Sequence, residues 1–110
     1  MAKRKNYKVL WSHAASRDLE STVEFISRDN VTAALQILNK LRKKAATLKT
    51  LPLRGRVVPE LAEVGLYLYR EIISPPWRIV YRFSDSDVYV MMVIDGRRNA
   101  EDLLLERLTR

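Results

Sequence analysis

Arginine side chains beside breaks in the chain are the groups in this sequence with the clearest capacity for chemistry. Arg54 and Arg56 flank Gly55, and the absence of a side chain at glycine lets a backbone come close to a ligand. A guanidinium group stays charged, and its planar fork can pair with two phosphate oxygens, so this tripeptide is a candidate phosphate site. A turn that carries two exposed arginines explains the same spacing equally well, and the sequence leaves both interpretations open.

Three more arginines, Arg70, Arg78 and Arg82, lie within residues 66–83, where two β-rich runs flank a Ser-Pro-Pro break. The two prolines remove backbone donors, so the segment is predicted to form a hairpin with a short, stiff connection. Successive side chains of a strand point to opposite faces, and arginines that alternate with large apolar residues should therefore share one face. We expect a sheet with one apolar face and one charged face.

The elements that would position these arginines begin with a strand at residues 7–11. Apolar side chains then recur every three or four residues in 14–26 and again in 31–48, which predicts two helices joined by a short loop. Ser12 suits the N-cap of the first helix. The second helix is expected to end before Pro52, because the residue before a proline disfavours helical geometry.

The second half of the chain is predicted to be mainly sheet. Residues 54–65 form a connector with a short extended piece at 56–58, and the hairpin follows. Residues 88–95 are apolar throughout, which is typical of a strand inside a sheet. Asn99 can cap a last helix with four leucines, which could cover the sheet, bind a partner or form a homodimer. The order predicts one two-layer α+β domain over residues 1–110, with an antiparallel sheet and a helical hairpin on one face.

Composition narrows the class of protein. A chain of 110 residues holds one domain, and its 47% apolar residues can form a core. The absence of cysteine excludes disulfides and cysteine-based nucleophiles or metal sites, and we expect no metal and no cofactor. No apolar run approaches the roughly 20 residues that span a bilayer, so a cytoplasmic protein without membrane partners is expected.

The formal net charge of +7 is the strongest compositional signal, because such an excess attracts anionic partners. Nucleic acid, a nucleoprotein particle and an acidic protein are all candidates. The excess is concentrated between Lys40 and Arg56, a stretch that contains no acidic residue. An ordinary solvated face explains the first part of this run, Lys40 to Lys44, equally well.

The order of these elements, with short motifs at their joints, resembles the RelE/ParE family of toxins from bacterial type II toxin–antitoxin modules. The motifs are spread over residues 7–99 and are specific only as an ordered series. They are Tyr7-Lys8-Val9 with Ala14 to Leu19, Leu51-Pro52-x-x-Gly55-Arg56, Pro59-Glu60-Leu61, Tyr69-Arg70-Glu71-Ile72, Trp77-Arg78-Ile79-Val80-Tyr81, and Gly96-Arg97-Arg98.

The resemblance implies a fold in which the two helices cover one face of the sheet and leave the other face concave and basic. The alternation in the second hairpin strand agrees with this arrangement. One set of side chains should face the helices (Trp77, Ile79, Tyr81 and Phe83), and the other set should face away from them (Arg78, Val80 and Arg82).

The resemblance implies two modes of action, since RelE-like members cut messenger RNA in the ribosomal decoding site and ParE-like members poison DNA gyrase. Members are neutralised by a small antitoxin. Metal-independent RNA cleavage requires a base, an acid and cations that stabilise the phosphorane charge. Arg78 and Arg98 fall on family arginines and inherit a phosphate-stabilising role as catalytic candidates. The alternative for Arg78 and Arg82 is structural, as partners of acids such as Glu71.

Several positions depart from the nuclease pattern. Tyr69 and Glu71 stand where RelE has a lysine pair, and Leu104 stands where it has a late catalytic tyrosine. Asp95 replaces a histidine that many relatives carry before Gly-Arg-Arg. Glu60 resembles the catalytic glutamate of the YoeB branch, yet ParE-like members share its Pro-Glu-Leu context, and a loop carboxylate paired with an arginine is the alternative.

These departures favour a ParE-like toxin that acts on gyrase, as in modules associated with plasmid stabilisation. The alternatives are a ribosome-dependent, metal-independent endoribonuclease and a non-toxic relative that only binds a partner. The predicted partners are a cognate antitoxin and either gyrase or the ribosome with its messenger RNA. The predicted target-binding or nucleic-acid-binding residues are Arg54, Arg56, Arg70, Arg82 and Arg97.

Overall fold

A five-stranded sheet with helices on both faces forms the body of the protein, as seen in a computed structural model that describes residues 6–109. The strands are β1 (Lys8–Trp11), β2 (Arg56–Val57), β3 (Arg70–Ser74), β4 (Trp77–Ser84) and β5 (Asp87–Asp95). The helices are α1 (His13–Ser27), α2 (Val31–Ala46), α3 (Pro59–Ala62) and α4 (Ala100–Leu108), and a 3-10 turn, Thr47–Lys49, follows α2. The predicted α+β class and helical hairpin are confirmed.

The sheet has the strand order β1-β5-β4-β3-β2. Strands β2 to β5 are antiparallel to their neighbours, as predicted, whereas β1 pairs with β5 in parallel. The parallel pair arises because the helical hairpin returns the chain to the end of the sheet where β1 finished. Strands β2, β3, β4 and β5 then alternate in direction, so β5 runs in the same direction as β1. The apolar strand β5 lies inside the sheet, as its sequence indicated.

Both long helices begin at side-chain caps. The Ser12 side chain accepts a hydrogen bond from the backbone amide of Ala15, and the Asn30 side chain accepts one from Ala33. The predicted cap at Asn99 is wrong in one respect, since Asn99 stands at the N-cap of α4 in the left-handed region but makes no side-chain cap bond. Asp102 and Glu101 in the first turn of α4 are favourably placed against the helix dipole.

The main core lies between the sheet and the helical hairpin. Ala15, Leu19, Leu41 and Ala45 of α1 and α2, with Leu48, are buried against sheet residues. The predicted helix-facing set of β4 is confirmed, because Trp77, Ile79, Tyr81 and Phe83 all belong to this cluster. Burial of one such aliphatic side chain stabilises the fold by about 1.5–3 kcal/mol.

A second apolar cluster lies on the opposite face of the sheet and corrects the expectation that this whole face is open and basic. Its members are Val58, Leu61, Val80, Met92, Ile94, Leu104 and Leu108. The C-terminal helix α4 thus covers this face of the sheet together with α3. The spacing of its leucines alone had left open whether the helix covers the sheet, binds a partner or forms a homodimer. A bulge between Val80 and Tyr81 places Met91 and Met92 together on this side.

Three local predictions were wrong. The first hairpin strand begins at Arg70 and not at Leu66. The connector contains α3, whose proline at the first helical position has its backbone angle preset for a helix. Arg70 pairs with Tyr81 in the register, so it lies on the helix-side face, opposite Arg78. Tyr81 is three residues from Arg78 on β4, and an odd separation along a strand puts two side chains on different faces. Arg70 shares the face of its partner Tyr81, so the two arginines lie on different faces of the sheet.

Candidate functional site: an arginine–glutamate cluster

The first candidate site is built on the face of the sheet away from the long helices. Glu71 of β3 pairs in register with Val80 of β4, two residues from Arg78, so Glu71 and Arg78 are diagonal neighbours on one face. Glu60 is carried to the same place by the first turn of α3. A carboxylate in that turn is favoured by the helix dipole.

Arg78 uses all three nitrogens of its guanidinium in this cluster. Its Nε donates to Glu71 Oε1 at 2.5 Å, and its Nη1 and Nη2 donate to Glu60 Oε2 and Oε1 at 2.7 Å each. The second oxygen of Glu71, Oε2, accepts from Arg56 Nε at 2.8 Å. Two arginines and two glutamates therefore form one continuous, charge-balanced chain, which we call the arginine–glutamate cluster.

Burial makes the pairing inside the cluster necessary. The Glu71 side chain is fully buried and that of Arg78 is 10% exposed, whereas that of Arg56 is 61% exposed. An isolated charge in such a place would cost several kcal/mol, so each buried group requires its partner. Arg78 Cδ also lies 3.2 Å from where a Cβ on Gly96 would stand, so the turn after β5 closes over the arginine stem.

The pairing shifts the pKa values of both members of the outer pair. The hydrogen bonds from Arg78 lower the pKa of Glu60 below its ordinary value, although partial burial opposes this effect. The hydrogen bonds from Glu60 raise the pKa of Arg78 further above neutrality. At neutral pH the Glu60–Arg78 pair is therefore ionised, and Glu60 is a weaker proton acceptor than a free glutamate.

The backbone at Gly55 packs closely against other parts of the protein and does not face an open site. A Cβ at Gly55 would lie 2.6 Å from the Glu71 carbonyl oxygen and 2.7 Å from Tyr81 Oη. Tyr81 Oη accepts from the Gly55 amide at 3.0 Å and donates to the Pro52 carbonyl at 2.6 Å. Arg70 Nη1 donates to the Gly55 carbonyl at 2.8 Å. Burial raises the pKa of Tyr81, so its hydroxyl keeps its proton and can donate.

The remaining predicted residues lie outside the arginine–glutamate cluster, and two of them, Arg97 and Arg98, line a common cleft. Arg54 is exposed and donates to Thr47 Oγ1, Arg82 stacks over the Tyr89 ring, and Arg97 pairs with Asp95 through two side-chain hydrogen bonds. Arg98 is exposed and lines a cleft with Ser21 and Thr22 of α1. Of the eight predicted residues, Glu60 and Arg78 are joined directly, and Arg56 is joined to Arg78 through Glu71.

A contact that the sequence interpretation missed fastens α4 to α1. Arg107 Nη1 donates to both carboxylate oxygens of Asp18, and Asp18 Oδ2 also accepts from the Val93 amide at 3.0 Å. Asp18 lies within Ala14 to Leu19, one of the motifs that carry the family resemblance, but the sequence did not indicate its structural role. Its partners are 75 and 89 positions away along the chain, beyond any local pattern.

The described part of the chain has no arrangement typical of a metal site or a membrane-spanning helix. Among residues 6–109, no group of three or more histidine, cysteine, aspartate or glutamate side chains is placed to hold a metal ion. None of the helices within this described part is long and apolar enough to cross a membrane.

Comparison with known proteins identifies the family. Residues 9–100 match the family model described as the ParE toxin of the type II toxin-antitoxin system, parDE. The chain belongs to the ParE toxin family. A curated relative, Toxin ParE3 of Caulobacter vibrioides, is 29% identical over 93 residues, which cover 84% of this chain and 89% of that protein.

Two solved structures share the ParE-family fold seen here. The chromosomal ParDE TA system from P. aeruginosa aligns with a TM-score of 0.68 at 13% identity, covering 81% of this chain and 95% of that one. The toxin-antitoxin complex RelBE2 from Mycobacterium tuberculosis aligns with a TM-score of 0.63 at 22% identity, covering 86% of this chain and 97% of that one. The RelE/ParE resemblance is thereby confirmed, and the chain is a toxin of a type II toxin–antitoxin system.

Proposed function

We propose that this toxin arrests growth by binding DNA gyrase and that it carries no ribonuclease chemistry of its own. The observation that supports this proposal is the occupation of Arg78. All three nitrogens of its guanidinium are held by Glu60 and Glu71, so the best-placed catalytic candidate has no free edge for a phosphate.

An arginine that stabilises a phosphorane would first have to leave its carboxylates. Breaking a buried ion pair by removing one partner costs about 3–5 kcal/mol, and this cost would be subtracted from any stabilisation of the transition state. In the cluster, release of Arg78 would also leave the fully buried Glu71 with only Arg56 as its partner. The geometry therefore favours a structural role for the cluster.

The other requirements of RNA cleavage are not gathered around Arg78. Glu60 has a lowered pKa, which weakens it as the base for a 2′-hydroxyl. Arg98 lines a cleft with residues of α1 and is not part of the arginine–glutamate cluster. Tyr69, Glu71 and Leu104 stand at the positions where the resemblance places RelE's lysine pair and late tyrosine, and Leu104 is fully buried. We infer that the ParE-like mode of action fits this chain better than the RelE-like mode.

An antitoxin is the second partner in the proposal. Both solved relatives are named as toxin–antitoxin systems, ParDE and RelBE2, which supports a small neutralising protein for this chain as well. The ParE family match points in the same direction. Co-expression with the protein encoded beside this gene should restore growth, and failure of that neighbour to do so would contradict the assignment of partner.

Two assays run side by side test the mode of action. Purified protein should inhibit supercoiling of a relaxed plasmid by gyrase, and it should leave no new RNA ends when added to ribosomes that translate a defined message. A Glu71→Met, Arg78→Met double variant is the matched control, because it removes the cluster's inner pair without changing net charge. We expect the variant to keep the activity on gyrase.

The opposite pattern would support the ribonuclease. New ends at codons, lost in the folded double variant, with gyrase unaffected, would overturn the proposal. If expression of the wild-type protein neither arrests growth nor affects either target, the chain is a non-toxic relative that only binds a partner. Homodimer formation, measured by light scattering, is tested separately, since Leu104 and Leu108 are already buried within one chain.

A further inference from the structure

The proposed action on gyrase does not explain a basic surface on α2 and the turn after it. No acidic residue occurs between Asp29 and Glu60. We propose that this surface binds the phosphate backbone of a nucleic-acid duplex without reading its sequence, whether or not gyrase is the target. The basic face consists of Lys40, Lys43, Lys44, Lys49 and Arg54, of which only Lys44 is half-buried and the others are exposed.

The helix geometry places three of these cations together. Lys40, Lys43 and Lys44 are separated by three and four residues, so they lie on one side of α2, while Leu41 and Ala45 are buried on the other. Thr47 continues the same side after the last turn. Arg54 Nη1 donates to Thr47 Oγ1 at 2.8 Å, which holds the guanidinium beside the lysines although it is distant in sequence.

The charge of this face is not neutralised within the chain. None of its five cations forms an ion pair with a carboxylate of residues 6–109. The neighbouring cations are different, because Arg42 lines the groove between α1 and α2 with Glu20 and Glu24, and Arg56 pairs with Glu71. Five cations therefore lie together on the basic face, and no acidic residue between Asp29 and Glu60 balances them.

A purely structural explanation covers only part of the face. Lys43 and Lys44 occupy the last turn of α2, where cations stabilise the helix dipole. Lys40 precedes that turn, and Lys49 and Arg54 follow the helix, so the dipole does not account for them. A surface that concentrates unpaired cations beyond the needs of the fold is suited to a polyanion.

The composition of the face favours a duplex over other polyanions. Lysine ammonium groups act as point charges for phosphates. No aromatic residue occurs between Phe25 and Tyr67, so the segment that carries the face supplies no ring of its own on which an unpaired base could stack. A duplex presents one phosphate charge per about 1.7 Å of its axis, twice the density of one of its strands.

A charge-matched pair of variants tests the proposal. Lys40→Gln with Lys43→Gln removes two cations from the basic face, and Arg17→Gln with Arg28→Gln removes two exposed cations from elsewhere, so each carries two charges fewer than the wild type's +7. Binding to 20-base-pair DNA and RNA duplexes, a 20-nucleotide single strand and polyglutamate is measured by fluorescence anisotropy between 50 and 300 mM salt. Circular dichroism confirms that each variant is folded.

We expect duplex binding that weakens with salt, with the relative affinity for the DNA and RNA duplexes showing which source of phosphate is preferred. The face variant should bind about tenfold or more weakly at 0.1 M salt, and its slope of log affinity against log salt should fall by about 1.8, or about 0.9 per lost contact. The control variant should keep the wild-type slope. Equal losses in both variants would overturn the proposal, since they would show that only net charge matters.

Two other results would also overturn it. Polyglutamate or the single strand binding more tightly than the duplexes would assign the face to an acidic protein or to unpaired nucleic acid. A third variant, with Lys3, Arg4 and Lys5 changed to glutamine, keeps the face intact. Loss of binding confined to that variant would place the interaction at the N-terminal cations instead.

Discussion

Glu60 and Arg78 are joined by a two-point ion pair in which both nitrogen–oxygen distances are 2.7 Å. The pair ties the four-residue helix α3 to the sheet, and Glu71 continues it inward to a fully buried carboxylate. By these contacts the group connects a loop to the sheet.

The buried carboxylate should be the most sensitive point of this connection. Glu71→Gln leaves Arg78 and Arg56 without their shared anion, and we expect a loss of about 3–5 kcal/mol in the free energy of unfolding. Urea unfolding measures it, with Glu63→Gln at an exposed site as the control, expected to change stability by less than about 0.5 kcal/mol. A loss no larger than that of the control would contradict a buried network.

Removing both inner partners should be far less harmful than removing one. In the Glu71→Met, Arg78→Met variant, the remaining members Glu60 and Arg56 have side chains 24% and 61% exposed, so water can solvate them. We expect stability within about 1 kcal/mol of wild type or above it, as found when apolar side chains replace buried ion pairs. If the double variant is as unstable as Glu71→Gln, apolar packing cannot substitute for the cluster.

Acid should weaken the contribution of Glu60. The pKa of Glu60 is lowered in the fold from an ordinary 4.5 by the hydrogen bonds from Arg78. Its stabilisation is therefore fully present above pH 4.5 and is lost as the pH falls through the lower, folded value. Glu60→Gln should be less stable than wild type at pH 7, and unfolding measured down to pH 3 should show the difference narrowing. A constant difference would show that the Glu60 carboxylate gains nothing from Arg78.

The Tyr81 hydroxyl should hold the loop that carries Gly55. Tyr81→Phe leaves the Gly55 amide and the Pro52 carbonyl without their shared partner, at a cost of about 1–3 kcal/mol. Hydrogen exchange should show faster exchange of the Gly55 amide specifically. Tyr67→Phe, at a residue that is 67% exposed, serves as the control. Unchanged protection of Gly55 would mean that the crowded backbone alone fixes the loop.

The regular elements were predictable because their signals are local. The caps at Ser12 and Asn30, the helical spacing of apolar residues and the prolines at the hairpin each act within a few residues of the feature they specify. Helix α3 was missed because four residues are too few to show a period, and only the proline at its start marks it. The parallel pairing of β1 depends on all the connections between it and β5.

The candidate site was predictable in its parts and not in its arrangement. Arg78, Glu71 and Glu60 were each singled out, and the pairing of Arg78 with Glu71 was one of two interpretations. Whether Arg78 is free or paired depends on where α3 places Glu60, a contact across 18 residues. The role of Gly55 likewise depended on Tyr81, 26 residues away. Sequence spacing alone cannot distinguish a glycine whose missing side chain leaves room for a ligand from one whose missing side chain leaves room for a tyrosine of the same chain.

The pairing of β1 with β5 has a consequence for when the protein can assemble. Lys8 pairs with Asp87 in the sheet register, and Asp18 binds Val93 and Arg107. The first strand and helix therefore contact residues that are synthesised much later. On the ribosome the N-terminal half emerges first and has no sheet on which to pack. Such distant contacts also make folding slow relative to helical proteins of this size. A nascent chain cut short before β5 therefore has no completed sheet, and release of a folded toxin is coupled to synthesis of the chain as far as Arg107.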